Sequence, residues 1–238
     1  MTQYVYLIRY GKTEFPLVEY DGPYDSDIDP TDGMEHAKSI ANAIATMDET
    51  TRPTKVYASP FLRTTHTASI VASALPTDTK VNVEEGLYEY MQPSLLIDRA
   101  GVRTYPRSVD QLAEIFDNLD TTYEKALKIT EEMFPEDEEN LIARCKKTLG
   151  GILKHANGES LAIVLHAPCY QSVAFALEGV ELKDSKVGKL AQGGITRFSK
   201  DSGSDQWNMD YYGVTDHMPG DYKAGMGIWS LPCFSGPK

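Results

Sequence analysis

Leu7-Ile8-Arg9-Tyr10-Gly11-Lys12-Thr13 marks the point where the first apolar run of the chain meets its first loop, and the rest of the sequence is read outward from it. Gln3 to Arg9 reads as one continuous apolar run, the pattern of a strand buried on both faces. Such a strand belongs in a parallel sheet covered by helices. Ligands of such sheets bind beyond the carboxyl ends of the strands. Arg9 and Tyr10 stand at that end.

Residues 14–30 are rich in Pro, Gly, Asp and Tyr and predict a loop. Met34, Ala37, Ile40, Ala41, Ile44 and Met47 then recur at three- and four-residue spacing, which predicts a helix over 31–47 with Thr31 or Asp32 as its cap. A short strand at 55–58, a helix over 61–75 and a short strand at 81–83 follow, with Ser59 and Pro60 introducing the helix. Residues 84–107 lack periodicity and read as an irregular insertion. Helices are expected over 109–119, 123–134 and 139–155, the last interrupted by Gly150-Gly151, which cost about 1 kcal/mol each inside a helix. A buried strand at 160–165, a helix over 168–177 and closing strands at 194–199 and 206–212 complete the pattern, before a loop-rich tail. Alternating strands and helices predict an α/β three-layer sandwich, with a mostly parallel central sheet and helices on both faces. Residues 1–238 are expected to form a single domain, with specificity carried by the insertions at 14–30 and 84–107.

Composition narrows the function. No apolar run reaches about 18 residues, so no membrane span or membrane partner is expected. Nothing resembles a secretory leader, and Cys145, Cys169 and Cys233 form no CxxC or CxH spacing. A reducing compartment, cytoplasmic or nuclear, is the expectation, with no metal and no cofactor. A net charge of −12 argues against direct nucleic-acid binding. Converging arginines inside an acidic protein can still hold a small anion.

Three strand ends carry candidates: Arg9-Tyr10 after the first, Ser59 to Arg63 after the second, and His166 after the fourth. Two arginines and a histidine suit a phosphoryl group, because guanidinium offers a planar fork to phosphate oxygens. The segments also resemble a known family in order. Arg9-Tyr10-Gly11-Lys12-Thr13 is similar to the Arg-His-Gly-x-Thr motif of the histidine phosphatase (phosphoglycerate mutase-like) superfamily. Tyr57 to Ala68 is similar to its Ser-Pro-x-x-Arg segment, Glu84 to Tyr90 to the segment bearing its acid, and Val164 to Pro168 to its second histidine. The run Trp207 to Gly213, followed by Val214-Thr215-Asp216, resembles one branch. That branch includes the suppressor-of-T-cell-signalling phosphatases and a phosphatase-like subunit of the RNA polymerase III transcription factor.

The resemblance implies a phosphoglycerate mutase-like fold and a set of roles. Arg9 and Arg63 would hold phosphate oxygens, with Thr13 a minor contact. His166 would stabilise the phosphoryl charge, and Glu89 would protonate the leaving oxygen. His66 stands where the family has glutamine, either as a donor behind the pocket or as a plain helix-surface residue. Tyr10 stands where the family has its nucleophile. Imidazole attacks phosphorus readily near neutral pH, whereas a phenol with an ordinary pKa of about 10 is almost wholly un-ionised there. Two readings follow. One is a pseudophosphatase that binds phosphate ion, a phosphorylated small molecule, a phosphoprotein or another protein partner. The other is a phosphomonoester hydrolase in which Tyr10, His166 or water replaces the nucleophile. Cys169 is expected to be a packed apolar residue, the acidic run 136–139 a solvated helix start, and Tyr20, Tyr24, Tyr88 and Tyr90 either a pocket wall or core packing.

Overall fold

Alternate side chains of the strand Gln3–Arg9 (β1) enter two different apolar cores, Val5 and Leu7 on one face of the sheet and Tyr6 and Ile8 on the other. All four are fully buried, which is why the run shows no polar alternation. The computed structural model describes residues 1–14, 25–76, 78–91, 107–220, 222 and 227–235. Along the chain come α1 (Asp32–Ala45), β2 (Lys55–Ala58), α2 (Leu62–Ala74), β3 (Val81–Val83), α3 (Val109–Ala113), α4 (Glu138–Ala156), β4 (Leu161–Leu165), α5 (Ala167–Glu178), β5 (Ile195–Lys200), β6 (Asn208–Val214) and α6 (Pro232–Ser235). The strands form one six-stranded sheet in the order β3-β2-β4-β1-β5-β6. β3, β2, β4 and β1 pair in parallel, while β1 with β5 and β5 with β6 pair antiparallel. Helices α1 and α2 cover the Tyr6 face, and α4 and α5 cover the Val5 face. The expected three-layer α/β architecture is present.

Three local expectations need correction. Helix α1 begins at Asp32, but neither Thr31 nor Asp32 caps it; Asp29 Oδ1 accepts from the backbone N–H groups of both, at 2.9 and 2.8 Å. Helix α3 stops at Ala113 instead of running to 119, because the chain turns to pair with the sheet edge. Val81 N–H donates to Asn118 O and Asp120 N–H to Val81 O, each at 2.9 Å. Those bonds satisfy the outer edge of β3, which a longer helix would leave bare. Residues 123–134 are not a helix either, with only a 3-10 turn at Glu131–Met133. Backbone donors that a helix would use internally go to carboxylates: Ala126 and Leu127 to Glu84 at 2.6 and 3.1 Å, and Ile129 to Glu85 at 3.3 Å. The side chains of a buried acid, Glu84, and a half-buried one, Glu85, outcompeted helical periodicity here.

The two insertions lie partly outside the described residues, which omit 15–24 and 92–106 and with them Tyr20 and Tyr24. Their described ends meet at the start of α2. Asp25 accepts from Leu62 N–H at 2.7 Å and pairs with Arg107.

Helix α4 runs unbroken through Gly150 and Gly151, and the two glycines differ in kind. A Cβ on Gly151 would lie 2.3 Å from Ala126 Cβ, whereas one on Gly150 would meet nothing within 4 Å. Gly151 therefore lets the 120–130 segment pack against the helix, and Gly150 has only a helix-propensity cost. We expect Gly150→Ala to stabilise the protein by about 0.5–1 kcal/mol and Gly151→Ala to destabilise it by about 1–3 kcal/mol. Urea unfolding of the two variants beside the parent checks the pair. Equal effects would refute the packing account.

Candidate active site

Register brings the strand ends together. Arg9 lies opposite Leu165, and Ala58 opposite Val164, so β1, β4 and β2 end within one residue of each other. The next residues are Tyr10, His166 and Ser59, with His166 in the middle because β4 lies between its two neighbours. Helix α2 begins directly after Ser59-Pro60-Phe61 and places Arg63 in its first turn. The fourth component arrives from β3. Glu84 accepts from Gly86 N–H at 2.9 Å and folds residues 85–87 into a 3-10 turn, after which Glu89 enters the site. A Cβ on Gly86 would lie 2.1 Å from Thr148 Oγ1, so only glycine lets this turn pack on α4.

Arg144 of α4 clamps the same turn. It donates to Gly86 O at 2.8 Å and Tyr88 O at 3.0 Å, and grips the Glu136 carboxylate through both Nε and Nη2. The residues Glu136 and Arg144 are 3% and 5% exposed. The acidic run is thus only partly a solvated helix start: Asp137 caps α4 by accepting from Asn140 N–H at 2.8 Å, but Glu136 is an interior anion. Sequence reasoning missed Arg144, whose only signal was its place on the apolar face of α4 beside Leu141 and Cys145.

At the centre, His166 is fully buried. Its Nδ1 is 3.0 Å from Glu89 Oε2, and its Nε2 is 2.8 Å from Ser59 Oγ. Arg63, also fully buried, places Nη2 at 3.3 Å from the same Glu89 oxygen. Tyr10 packs into this group at 2% exposure. Its ring lies edge-on to His166 with centroids 5.6 Å apart, and the Arg63 guanidinium sits 5.3 Å from its centre. Phe61 closes another side, 4.9 Å from the His166 ring and 4.7 Å from the Arg63 guanidinium.

The remaining expected residues take different places. Arg9 is buried and donates through Nη1 to Leu190 O at 2.7 Å and Gly227 O at 2.6 Å, so it ties two late segments to the end of β1. It remains within electrostatic reach of Tyr10 and Glu89. Thr13 is buried in a two-residue bridge with Ile28. His66 is held by Asp27, whose oxygens lie 3.0 and 3.1 Å from Nδ1, and packs against Phe116. Glu84 and Glu85 are spoken for by the 123–129 segment, which separates them from Glu89. Cys169 is fully buried and donates to Tyr88 O at 2.9 Å. Tyr88 packs on Phe61 and Phe134. Among the described residues no group of three or more His, Cys, Asp or Glu is placed to hold a metal ion. No helix among them is long and apolar enough to cross a membrane.

Charges in the site follow from these contacts. Burial alone would raise the Glu89 carboxyl, but His166, Arg63 and the Tyr90 N–H, which donates at 2.9 Å, hold it down at about 2. Burial pushes the His166 imidazole down to about 4, against the pull of Glu89 and with help from Arg63. At neutral pH the group holds Arg9 and Arg63 positive, Glu89 negative and His166 neutral. One net positive charge is left in a dry site, which suits an anion.

A family model describing the histidine phosphatase superfamily (branch 1) matches residues 5–213, and the chain belongs to that superfamily. Its fold is similar to the ecdysone phosphate phosphatase of Bombix mori in complex with tungstate, at 17% identity and TM-score 0.64, over 96% of this chain and 98% of that one. It is similar to a phosphoserine phosphatase mutant of Entamoeba histolytica in complex with phosphoserine, at 21% identity and TM-score 0.57, over 91% and 100%. A mycobacterial glucosyl-3-phosphoglycerate phosphatase shares 15% identity at TM-score 0.60, over 90% and 100%. At these identities the likeness is one of fold. No curated protein sequence matches the chain.

Two outcomes test the site. A histidine depressed on folding binds its proton first in the unfolded chain. Stability should therefore fall as pH drops from about 6.5, the ordinary histidine value, towards 4, where the folded His166 also protonates. The extra slope approaches about 1.4 kcal/mol per pH unit in that window, and His166→Gln should remove it. Urea unfolding of both proteins at several pH values measures the difference. Separately, Arg144→Ala strands the buried Glu136 carboxylate and should cost about 3–5 kcal/mol in the same assay at pH 7. A loss under about 1 kcal/mol would mean the clamp is dispensable.

Proposed function

We propose that this member of the superfamily is a pseudophosphatase. It uses the cationic pocket formed by Arg9, Arg63 and His166 to bind phosphate ion, a phosphorylated small molecule or a phosphoprotein, and does not turn phosphoesters over through a phosphohistidine. The observation that carries this reading is the packing of Tyr10. Its ring fills the space between Arg63 and His166 at 2% exposure, in the position where the motif would place a nucleophilic imidazole. A phenol is a poorer nucleophile towards phosphorus than an imidazole, and its ring takes volume from the phosphoryl group. The partly retained cradle supports binding: two guanidinium groups and the Nδ1 edge of His166 remain.

A second reading is an active phosphomonoester hydrolase, with Tyr10, His166 or water as the attacking group. One observation favours it: Glu89 and His166 stand 3.0 Å apart at the strand ends, so a carboxyl and a charge-stabilising imidazole share one site, and the acid role requires Glu89 to take up a proton when substrate binds. Thr13 and His66 are proposed as minor or indirect contributors from the rim. We assign a cytoplasmic or nuclear setting on the three free cysteines. A place beside the suppressor-of-T-cell-signalling phosphatases and the RNA polymerase III subunit rests on the run Trp207 to Asp216. Strand β6 and its exit are built from this run.

Hydrolysis of an aryl phosphate separates the readings. The parent should give no turnover above background. Tyr10→His should raise the rate by at least about a thousandfold, the scale on which nucleophile losses act. Adding His166→Ala to that variant should remove the gain. Turnover by the parent that His166→Ala abolishes would overturn the pseudophosphatase reading. Tyr10→Ala tests the space argument: emptying the ring volume should tighten vanadate binding by roughly tenfold, as one added charge-assisted contact would. Unchanged or weaker binding would mean that the ring does not obstruct the cradle.

A further inference from the structure

Ser59, the first residue after β2, is held by hydrogen bonds at both its backbone N–H and its carbonyl. Its side chain is fully buried. Its N–H donates to Val164 O at 3.3 Å, and its carbonyl accepts from the hydroxyls of Thr64 and Thr65 at 2.9 and 3.1 Å. With backbone held on both sides, the hydroxyl lies 2.8 Å from His166 Nε2. Among the described residues, Ser59 is the side chain that hydrogen-bonds that nitrogen.

We propose that Ser59 sets the tautomer of His166: its hydroxyl donates to Nε2 and so keeps the ring proton on Nδ1, the nitrogen that faces Glu89 and the pocket. The argument is electrostatic. A neutral imidazole has one N–H and one lone pair. A lone pair on Nδ1 would face the Glu89 carboxylate at 3.0 Å, where both partners are negative. A proton on Nδ1 turns that contact favourable, and Nε2 then needs a donor in a site without solvent. Ser59 is that donor. When His166 takes up a second proton the same hydroxyl rotates and accepts from Nε2–H, so one serine serves both charge states. Nδ1 makes no hydrogen bond among the described residues, since Glu89 Oε2 stands close but outside hydrogen-bond geometry, so Ser59 acts through His166 as a positioning residue that leaves this N–H open to an anion in the pocket. Only that last consequence rests on the anion-binding reading.

The alignment Ser59–His166–Glu89 has the order of a serine-hydrolase relay, and the geometry argues against that use. The two nitrogens of an imidazole point to opposite sides of the ring. Glu89 lies at Nδ1 and shares its Oε2 with Arg63, while the Ser59 hydroxyl sits at Nε2 with no exposed surface.

Nitrogen-15 NMR of histidine-labelled protein tests the assignment. The chain has 5 histidines, and His166→Gln identifies the signal. Between pH 6 and 8 the parent should show His166 as the Nδ1–H tautomer. Ser59→Ala should move the ring to a mixture or to Nε2–H. Ser59→Thr should restore Nδ1–H, and Ser59→Cys, a weak donor of similar shape, should fall between. Vanadate affinity should drop roughly tenfold in Ser59→Ala and recover in Ser59→Thr, the scale of one buried donor lost. An Nε2–H signal in the parent, or a signal unmoved in both Ser59→Ala and Ser59→Cys, overturns the proposal. So does labelling of Ser59 by a fluorophosphonate, which would make it a nucleophile. If the parent binds no vanadate while the tautomer responds as expected, the anion-binding reading fails and the role of Ser59 stands.

Discussion

The site exists because β4 pairs in parallel with β1 on one side and β2 on the other, in a register that ends all three strands within one residue of each other. A slip of one residue in β4 would turn His166 to the opposite face of the sheet and away from Tyr10, Ser59 and Glu89. The register is held by burial on both faces. Leu161, Ile163 and Leu165 enter the core under α4 and α5, and Ala162 and Val164 the core under α1 and α2. No face of β4 could be exchanged for solvent, so the strand has one place to be. The site inherits that precision from the core.

Charge organises what register has assembled. Arg63, Glu89 and His166 are nearly or fully excluded from water, and each depends on the others for its state. An ion pair in such a place is an uncertain source of stability, since desolvation offsets most of the attraction. Its value lies in orientation, because one Glu89 oxygen fixes Arg63 and His166 relative to each other. A second buried pair, Arg144 with Glu136, holds the turn that delivers Glu89. Two interior charge pairs on opposite flanks of one short segment explain how a carboxylate on a loop can be placed as firmly as a residue on a strand. Arg9 shows the reverse arrangement. Its carbonyl partners at Leu190 and Gly227 make it a fastener of late segments as well as a charge beside the pocket.

Tyr10 gains its meaning from these surroundings. An aromatic ring in a void would say little; here it is packed edge-on to His166 and beneath the Arg63 guanidinium, so the cation is stabilised by a π face while it waits beside Glu89. Tyr10, His166, Arg63 and Phe61 thus form one packed group at the strand ends.

Much of this was legible in the chain itself. Buried strands declare themselves as apolar runs, so β1, β2, β3 and β4 were placed within a residue, and the strand-end rule pointed to Tyr10, Arg63 and His166. Glu89 could be named only by resemblance, because three acids of the same segment look alike until Glu84 and Glu85 are seen bonded to 123–129. Helical periodicity over 114–119 and 123–134 misled, since competing partners for the backbone come from distant residues. Ser59, Arg144 and Gly151 were invisible as roles for the same reason. The sequence alone determined the layers, the order of the motifs along the chain and the tyrosine at position 10, because these depend on residue type and local spacing. Only the tertiary structure decided which nitrogen faces which oxygen, since hydrogen bonds in a dry interior are set by chain segments far apart in sequence.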